Sequence, residues 1–152
     1  MLEIFIDADA CPVKAEVYRV AERYGLLVTL VTNKWMRAPV KQWVKLVVVE
    51  RNLDAADDWI AEKVDVDDIV VTADIPLAAR CLEKGALVLG NTGHPFTEDN
   101  IGDAMATRDL MSELREIGNI TGGPPPFSKR DRSRFLQKLD EMIQAVRRRA
   151  RG

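Results

Sequence analysis

The stretch LEIFID, residues 2–7, decides the fold class of this chain. Its residues 2–6 form a nearly continuous apolar run that stops at Asp7, which is typical of a strand buried on both faces. Strands of this kind belong to parallel sheets that carry helices on both sides. The stretch therefore predicts an α/β protein in which Asp7 lies at the carboxyl end of the first strand.

The rest of the first 90 residues alternates predicted strands with predicted helices. Further strands are expected at residues 26–32, 46–50, 69–72 and 87–89, and helices at about 13–24, 54–64 and 77–84. This alternation with short links favours a three-layer, doubly wound and mostly parallel sheet of five strands, followed by C-terminal helices. In such sheets the carboxyl ends of the parallel strands share one edge, where ligands bind.

The last third of the chain has a different pattern. A loop at 90–96 precedes a helix expected from Thr97 to about Glu116, and residues 122–126, Gly-Gly-Pro-Pro-Pro, are incompatible with a helix or a central strand. Ser128 and Asp131 have the spacing of a capping box at the start of a last helix. We expect a single domain over residues 1–152, with an α/β core at 1–90, a loop, helix and Gly/Pro segment at 91–127, and a basic helix at 128–152.

Composition narrows the class of protein. With 47% hydrophobic residues the chain is expected to form a core, and its two cysteines cannot make a disulfide framework. No apolar run approaches the ~18 residues of a membrane span, and no secretory signal begins the chain. We therefore expect a cytoplasmic bacterial protein with no membrane partner, and the sequence leaves its oligomeric state open.

Charge is divided unevenly along the chain. Residues 1–127 hold 13 Lys or Arg and 21 Asp or Glu, a net charge of −8, whereas residues 128–152 hold 9 and 3, a net charge of +6. An acidic body with a basic end suits a protein that binds cations in one place and anions in another. A solvated, arginine-rich helix end explains the same pattern without a ligand.

Aspartates gather where predicted strands end. Asp7 and Asp9 follow the first strand, and Asp74 follows the fourth. If those strands are neighbours, the aspartates meet at one edge together with a trio that shares one helix face after the third strand, namely Asp54, Asp57 and Asp58. Clustered carboxylates need a cation or raised pKa values, and oxygen ligands without His or Cys suit Mg²⁺ or Mn²⁺. The pattern predicts a metal site made by Asp7, Asp57, Asp58 and Asp74, supported by Asp9 and Asp54.

The same aspartates are compatible with helix capping. Asp54 would then be an N-cap with Asp57 three residues on, and Asp9 and Asp74 would cap the helices that follow them. Spacing alone leaves both interpretations open.

Five short motifs resemble those of a known family. They are residues 7–14 (DADACPVK), 54–58 (DAADD), 72–78 (TADIPLA), 122–124 (GGP) and 127–132 (FSKRDR). Together they make nearly the whole chain similar to the YaiI/YqxD family of uncharacterised bacterial proteins. That resemblance names a family without implying an activity.

A wider similarity extends to PIN-like domains and 5′-nucleases. Asp7, Asp57 or Asp58, and Asp74 take the positions of acidic residues in those enzymes, while Ala55 and Pro76 stand where the 5′-nuclease motifs have acids. No acid clearly takes the place of the second-position PIN glutamate, and Asp9, which stands where PIN domains usually carry Asn or Ser, is the candidate to compensate for it. The similarity implies a PIN-like fold and a Mg²⁺- or Mn²⁺-dependent nuclease, with catalytic residues Asp7, Asp9, Asp57, Asp58 and Asp74.

Cations and indoles interleave after the second predicted strand, beginning with Lys34 and Trp35, as in proteins that stack unpaired bases and contact phosphates. Tryptophans that close a loop onto the core explain this segment equally well. A second basic group opens the last helix. We expect RNA or another nucleic acid as the partner, and substrate-binding residues at Lys14, Lys34, Trp35, Thr72, Arg130 and Arg132.

Two other functions are weighed against the nuclease. The chain could be a non-enzymatic nucleic-acid- or protein-binding module whose acidic site is degenerate, because several motif acids are missing. It could also be a haloacid-dehalogenase-like phosphatase with Asp7 and Asp9 as nucleophile and general acid. In that case the later pair Asp67-Asp68 is misplaced, because it precedes a strand instead of following one.

Overall fold

The computed structural model describes residues 2–52, 54–116, 118 and 126–151. These residues form a six-stranded, mostly parallel sheet with five α-helices. The elements in chain order are β1 (Glu3–Asp7), α1 (Lys14–Tyr24), β2 (Leu27–Thr32), β3 (Val44–Val48), α2 (Ala55–Lys63), β4 (Ile69–Val71), α3 (Ile75–Glu83), β5 (Leu87–Leu89), β6 (Pro95–Phe96), α4 (Ile101–Glu116) and α5 (Lys129–Arg151).

The strand order places β1 at the centre of the sheet. The order is β3-β2-β1-β4-β5-β6, and β1 pairs in parallel with both β2 and β4. The expected neighbourhood of the first and fourth predicted strands is therefore confirmed. Since both strands run in the same direction, the end of β1 at Asp7 lies beside the residues that follow β4.

The prediction of five strands is wrong by one. Residues 90–96, predicted as a loop, turn back so that Pro95 and Phe96 pair antiparallel with Leu89 and Val88 as β6. The Gly90 amide donates to the His94 carbonyl at 3.0 Å and closes this turn. A strand of two residues is too short to have a hydrophobic period, so the sequence could not indicate it.

Several element boundaries also differ from the prediction, by one to four residues, and the starts of β3 and α4 show why. β3 begins at Val44, two residues early, because its register with β2 pairs Val28 with Val44. α4 begins at Ile101, after Thr97, because the Thr97 and Asn100 side chains each accept a hydrogen bond from the other residue's amide in a turn that precedes the helix. Both differences depend on contacts that local propensity does not describe.

The sheet buries a hydrophobic core on each face. β1 places Ile4 and Ile6 on one side and Phe5 on the other. The first side packs against α1 and α5, and the second packs against α2 and α3. The apolar stripe of the last helix is docked here, as its spacing predicts, through Phe135, Leu139 and Ile143, which are all fully buried.

The capping box predicted for the last helix is present. The Asp131 amide donates to Ser128 Oγ at 3.1 Å, and the Ser128 amide donates to an Asp131 carboxylate oxygen at 3.0 Å. The backbone bond and the Ser128 hydroxyl hold the pKa of Asp131 below its ordinary value. The predicted Gly/Pro segment at 122–126 lies, except for Pro126, outside the described residues.

No helix in the described ranges combines the length and the apolar character that a membrane crossing requires.

Candidate acidic site at the carboxyl edge of the sheet

Three carboxylates from separate segments lie close together at the carboxyl edge of the sheet. Asp7 ends β1, Asp74 precedes α3 just beyond β4, and Asp57 lies in the first turn of α2. The charges of Asp7 and Asp74 both raise the pKa of Asp57, and the charge of Asp74 raises that of Asp7. We call Asp7, Asp57 and Asp74 the acidic triad.

Thr72 connects two members of the triad. Its side chain is 2% exposed, and its hydroxyl donates to Asp7 Oδ2 at 2.9 Å. The same hydroxyl oxygen accepts a hydrogen bond from the Asp74 amide at 3.0 Å. Thr72, predicted to bind substrate, reaches the Asp7 carboxylate because the parallel pairing of β1 with β4 brings residues 65 positions apart into contact.

The electrostatics of the triad are dominated by burial and mutual repulsion. Burial, followed by the charges of Asp74, Asp7 and Asp54, raises the pKa of Asp57 from 3.8 to about 6, against the opposing effect of Arg80. Burial also raises the pKa of Asp7, although the hydrogen bond from Thr72 opposes the shift. The site therefore disfavours negative charge unless a proton or a cation compensates it.

The capping interpretation holds for one of the aspartates. Asp74 is the N-cap of α3, and its Oδ1 accepts a hydrogen bond from the Leu77 amide at 2.9 Å. Asp54 occupies the N-cap position of α2, but its exposed side chain makes no capping hydrogen bond. Asp9 caps no helix. A capping role for Asp74 leaves its second carboxylate oxygen without a hydrogen bond to any described residue.

Two predicted ligands are held by other partners. Asp9 accepts hydrogen bonds from the Thr32 hydroxyl and from the Asn33 amide, so it is attached to the end of β2. Asp58 points to solvent and forms an ion pair with Arg80 at 2.8 Å. Residues 54, 57 and 58 therefore have different surroundings: Asp54 is exposed, Asp58 pairs with Arg80, and the pKa of Asp57 is raised by burial and by the charges of Asp74 and Asp7.

Metal-binding geometry was tested over residues 2–52, 54–116 and 126–151. No group of three or more His, Cys, Asp or Glu side chains in these ranges is arranged to hold one ion. The donor atoms of the triad are carboxylate oxygens only, which is the ligand type that hard cations such as Mg²⁺ and Mn²⁺ prefer. One oxygen of Asp7 and one of Asp74 are already engaged by Thr72 and by the start of α3.

The predicted substrate-binding cations are dispersed. Lys14 Nζ donates to the Cys11 carbonyl at 3.1 Å. Arg132 forms an ion pair with the buried Glu16 and lies 5.0 Å over the Phe127 ring, so it is a packing contact between α5 and α1 and not part of a free phosphate strip. Arg130 is exposed and has no ion-pair partner in the described part of the chain.

An open cavity lies next to the triad at the ends of β2 and β3. It has a volume of about 750 Å³ and is lined by Asp9, Asn33, Lys34, Arg51 and Asn52. Trp35, the next residue after Lys34, is 73% exposed. Sequence reasoning found Lys34 and Trp35 but missed Arg51, although Arg51 also follows a predicted strand and could have been found by that signal.

The acids required by the phosphatase alternative lie at the wrong end of the sheet. Asp68 precedes β4 and is buried, where its carboxylate accepts hydrogen bonds from the Glu3 and Asp65 amides. Asp67 pairs with Arg149 at 2.8 Å. This pair therefore stabilises the amino end of β4, far from the residue that ends β1.

The thiol of Cys11 is not activated. Burial raises its pKa, and the described side chains give it no hydrogen-bonded histidine, because His94 lies 3.1 Å from Arg134 instead. Cys81 is also buried, and burial raises its pKa to about 12. Both cysteines are packing residues.

Comparison with known proteins gives a consistent result over nearly the whole chain. Residues 5–145 match the profile of a family described as "Uncharacterized BCR, YaiI/YqxD family". A UPF0178 protein of Paramagnetospirillum magneticum is 59% identical over 148 residues, which cover 97% of this chain and 98% of that protein. UPF0178 proteins of Parvibaculum lavamentivorans and Rhodospirillum rubrum are 60% and 57% identical, over 98% and 97% of this chain and 98% and 99% of their own lengths. No solved structure gave a significant match.

Proposed function

The chain belongs to the YaiI/YqxD family, and we propose that it is a divalent-metal-dependent nuclease with a PIN-like, three-layer fold and RNA as its substrate. The observation that carries this proposal is the acidic triad, in which Asp7, Asp57 and Asp74 come from three separate segments, and burial together with the charges of Asp74 and Asp7 raises the pKa of Asp57. Carboxylates gathered in this way repel one another, and a bound cation would compensate that repulsion.

The metal of this proposal is Mg²⁺ or Mn²⁺, held by Asp7, Asp57 and Asp74. Such an ion supplies positive charge that stabilises a phosphodiester as it is hydrolysed. The free carboxylate oxygens of Asp7 and Asp74 support this assignment, because their second oxygens are already fixed by Thr72 and Leu77. Asp57 would be the third carboxylate of the ligand set.

The other residues of the site have roles that follow from their contacts. Thr72 orients Asp7, and Asp9 lines the neighbouring cavity. Lys34 and Arg51 line that cavity, have no ion-pair partners in the described ranges, and can hold phosphates. The exposed indole of Trp35 can stack an unpaired base, which favours single-stranded RNA over a duplex.

The experiment is cleavage of labelled single-stranded RNA by the Mn²⁺-loaded protein. We expect Asp7→Asn and Asp57→Asn to lower the rate on the order of 100-fold, because each removes a charge that the ion needs. Asp99→Asn changes an exposed acid away from the site and serves as the matched control. Equal cleavage by Asp7→Asn and the parent protein would reject the assignment.

A second candidate is a nucleic-acid-binding module without catalysis. The N-cap role of Asp74 and the absence of a three-ligand group in the described ranges favour it. In that case the RNA binds with equal affinity in Mn²⁺ and in chelator and is recovered intact. Metal-dependent cleavage that is lost in Asp7→Asn excludes this alternative.

A further inference from the structure

A second cavity lies toward the amino ends of the strands, mostly on the sheet face that carries α2, and its lining residues Val28 and Trp43 also pack against the core on the α1 side. Its volume is about 580 Å³, which falls within the range of small-molecule sites. Glu3 of β1 lines it, whereas Asp7 of the acidic triad ends the same strand, roughly 13 Å away at 3.3 Å per residue. We call this cavity the tryptophan groove, because Trp43 and Trp59 both line it.

The groove exists because α2 covers only part of the sheet. α2 packs on β1 and β2, while Lys45 of β3 remains exposed. Phe5 and Thr29, both buried, form part of the groove lining together with Leu27, which is 49% exposed although it belongs to a strand. A lining that combines polar groups with apolar surface and aromatic rings suits a ligand with a flat ring and polar substituents.

The two lysines in the groove lining favour an anionic ligand. Lys45 and Lys63 line the groove, and neither is within ion-pair distance of a carboxylate in the described ranges. Lys63 Nζ lies 6.0 Å from the centre of the Trp59 ring, so a cation and an aromatic face are presented together. Glu3 is the one acid among the lining residues, and its carboxylate can accept hydrogen bonds from hydroxyl or amino groups.

We propose that the tryptophan groove binds a nucleoside monophosphate. The base would lie against Trp43 and Trp59, the phosphate would face Lys45 and Lys63, and Glu3 would accept from the sugar hydroxyls. The site needs none of the aspartates of the acidic triad. The proposal that this groove binds a nucleotide is therefore independent of whether the protein is a nuclease.

The test is a titration of tryptophan fluorescence in chelator, so that no metal takes part. The chain has three tryptophans, two in the groove and Trp35 outside it. We expect adenosine 5′-monophosphate to quench the fluorescence with saturation, and to do so in Trp35→Phe. The double variant Trp43→Phe/Trp59→Phe keeps only Trp35, which belongs to the proposed RNA site, and is expected to lose this quenching over the concentrations at which Trp35→Phe saturates.

Affinity then separates the base from the phosphate. Adenosine and inorganic phosphate, titrated separately, are each expected to bind at least about tenfold more weakly than the nucleotide, and Lys45→Ala and Lys63→Ala to weaken nucleotide binding by about tenfold. Lys41→Ala, an exposed lysine outside the groove lining, is the matched control and is expected to bind normally. The proposal is overturned by the absence of saturable quenching, by quenching that survives in the double tryptophan variant, or by unchanged affinity in both groove lysine variants.

Discussion

At the scale of single residues, the most informative group is the Asp57 carboxyl. Asp57 lies in the first turn of α2. Burial and the charges of Asp74, Asp7 and Asp54 raise the pKa of its carboxyl to about 6. If Asp57 served only to stabilise the amino end of α2, an exposed side chain with an ordinary pKa would stabilise that helix more. A bound cation or a proton would compensate the negative charge that this environment disfavours.

Asp57→Asn is expected to stabilise the metal-free protein near neutral pH. Because the folded-state pKa of about 6 exceeds the ordinary value of 3.8, the folded protein binds more protons between these pH values and loses stability as the pH rises. After allowance for solvent screening, the gain is about 1 kcal/mol at about pH 7.5 and disappears near pH 4. Urea unfolding at both pH values measures it, with Asp99→Asn as the control, and a variant less stable than the parent protein at neutral pH would contradict the prediction.

At the scale of elements, α5 is fastened at its first turns. Arg132 of α5 pairs with Glu16 of α1, whose side chain is 6% exposed, and also donates to the Pro12 carbonyl at 3.3 Å. Arg134 donates to the Thr92 carbonyl at 3.0 Å, which joins α5 to the turn before β6. The basic opening of α5 therefore has a structural role that its charge pattern did not reveal.

Arg132→Ala is expected to destabilise the fold by about 2 kcal/mol. Removing the arginine leaves the buried carboxylate of Glu16 without its partner, which costs more than losing an exposed ion pair, although Arg132 itself is half-exposed. Arg130→Ala, two residues earlier and fully outside this contact, is expected to change the free energy of unfolding by less than about 0.5 kcal/mol. Equal effects of the two substitutions in urea unfolding would show that the Glu16 contact does not stabilise α5.

Gly93→Ala is expected to disrupt the contact between the β5–β6 turn and α5. Gly93 has φ +87°, and an added Cβ would lie 2.6 Å from the Phe135 amide nitrogen. The two nearest atoms belong to the backbone between Arg134 and Phe135 of α5, which cannot move aside as a flexible side chain could, so we expect a loss of about 2–4 kcal/mol. Gly102→Ala in α4, where a Cβ meets open space, is the control and is expected to raise stability slightly. A thermal melt of Gly93→Ala equal to that of the parent protein would contradict this account.

At the scale of the whole molecule, the sequence was sufficient to predict the centre of the fold. The apolar run before Asp7 indicated a buried parallel strand, and parallel topology then implied that residues after β1 and β4 share an edge. That inference is confirmed for the strands by the pairing of Ile6 with Val71. It needed only the hydrophobic period and the rule for parallel connections.

The partners of individual side chains could not be predicted in the same way. Asp58 forms an ion pair with Arg80, 22 residues away, and Arg132 forms one with Glu16, 116 residues away. Which charged residue faces which depends on how the helices rotate against the sheet, and sequence spacing within one helix does not encode this. The same limit hid the tryptophan groove, whose residues come from three strands, one helix and a loop.

The most direct test of the acidic triad is a calorimetric titration with Mn²⁺ at about pH 7.5. The account predicts saturable binding in the parent protein and in Asp99→Asn, and weaker binding on the order of 100-fold in both Asp57→Asn and Asp74→Asn, since asparagine keeps the N-cap of α3 but removes the charge. Binding that is absent from the parent protein, or equal in all four proteins, would contradict it.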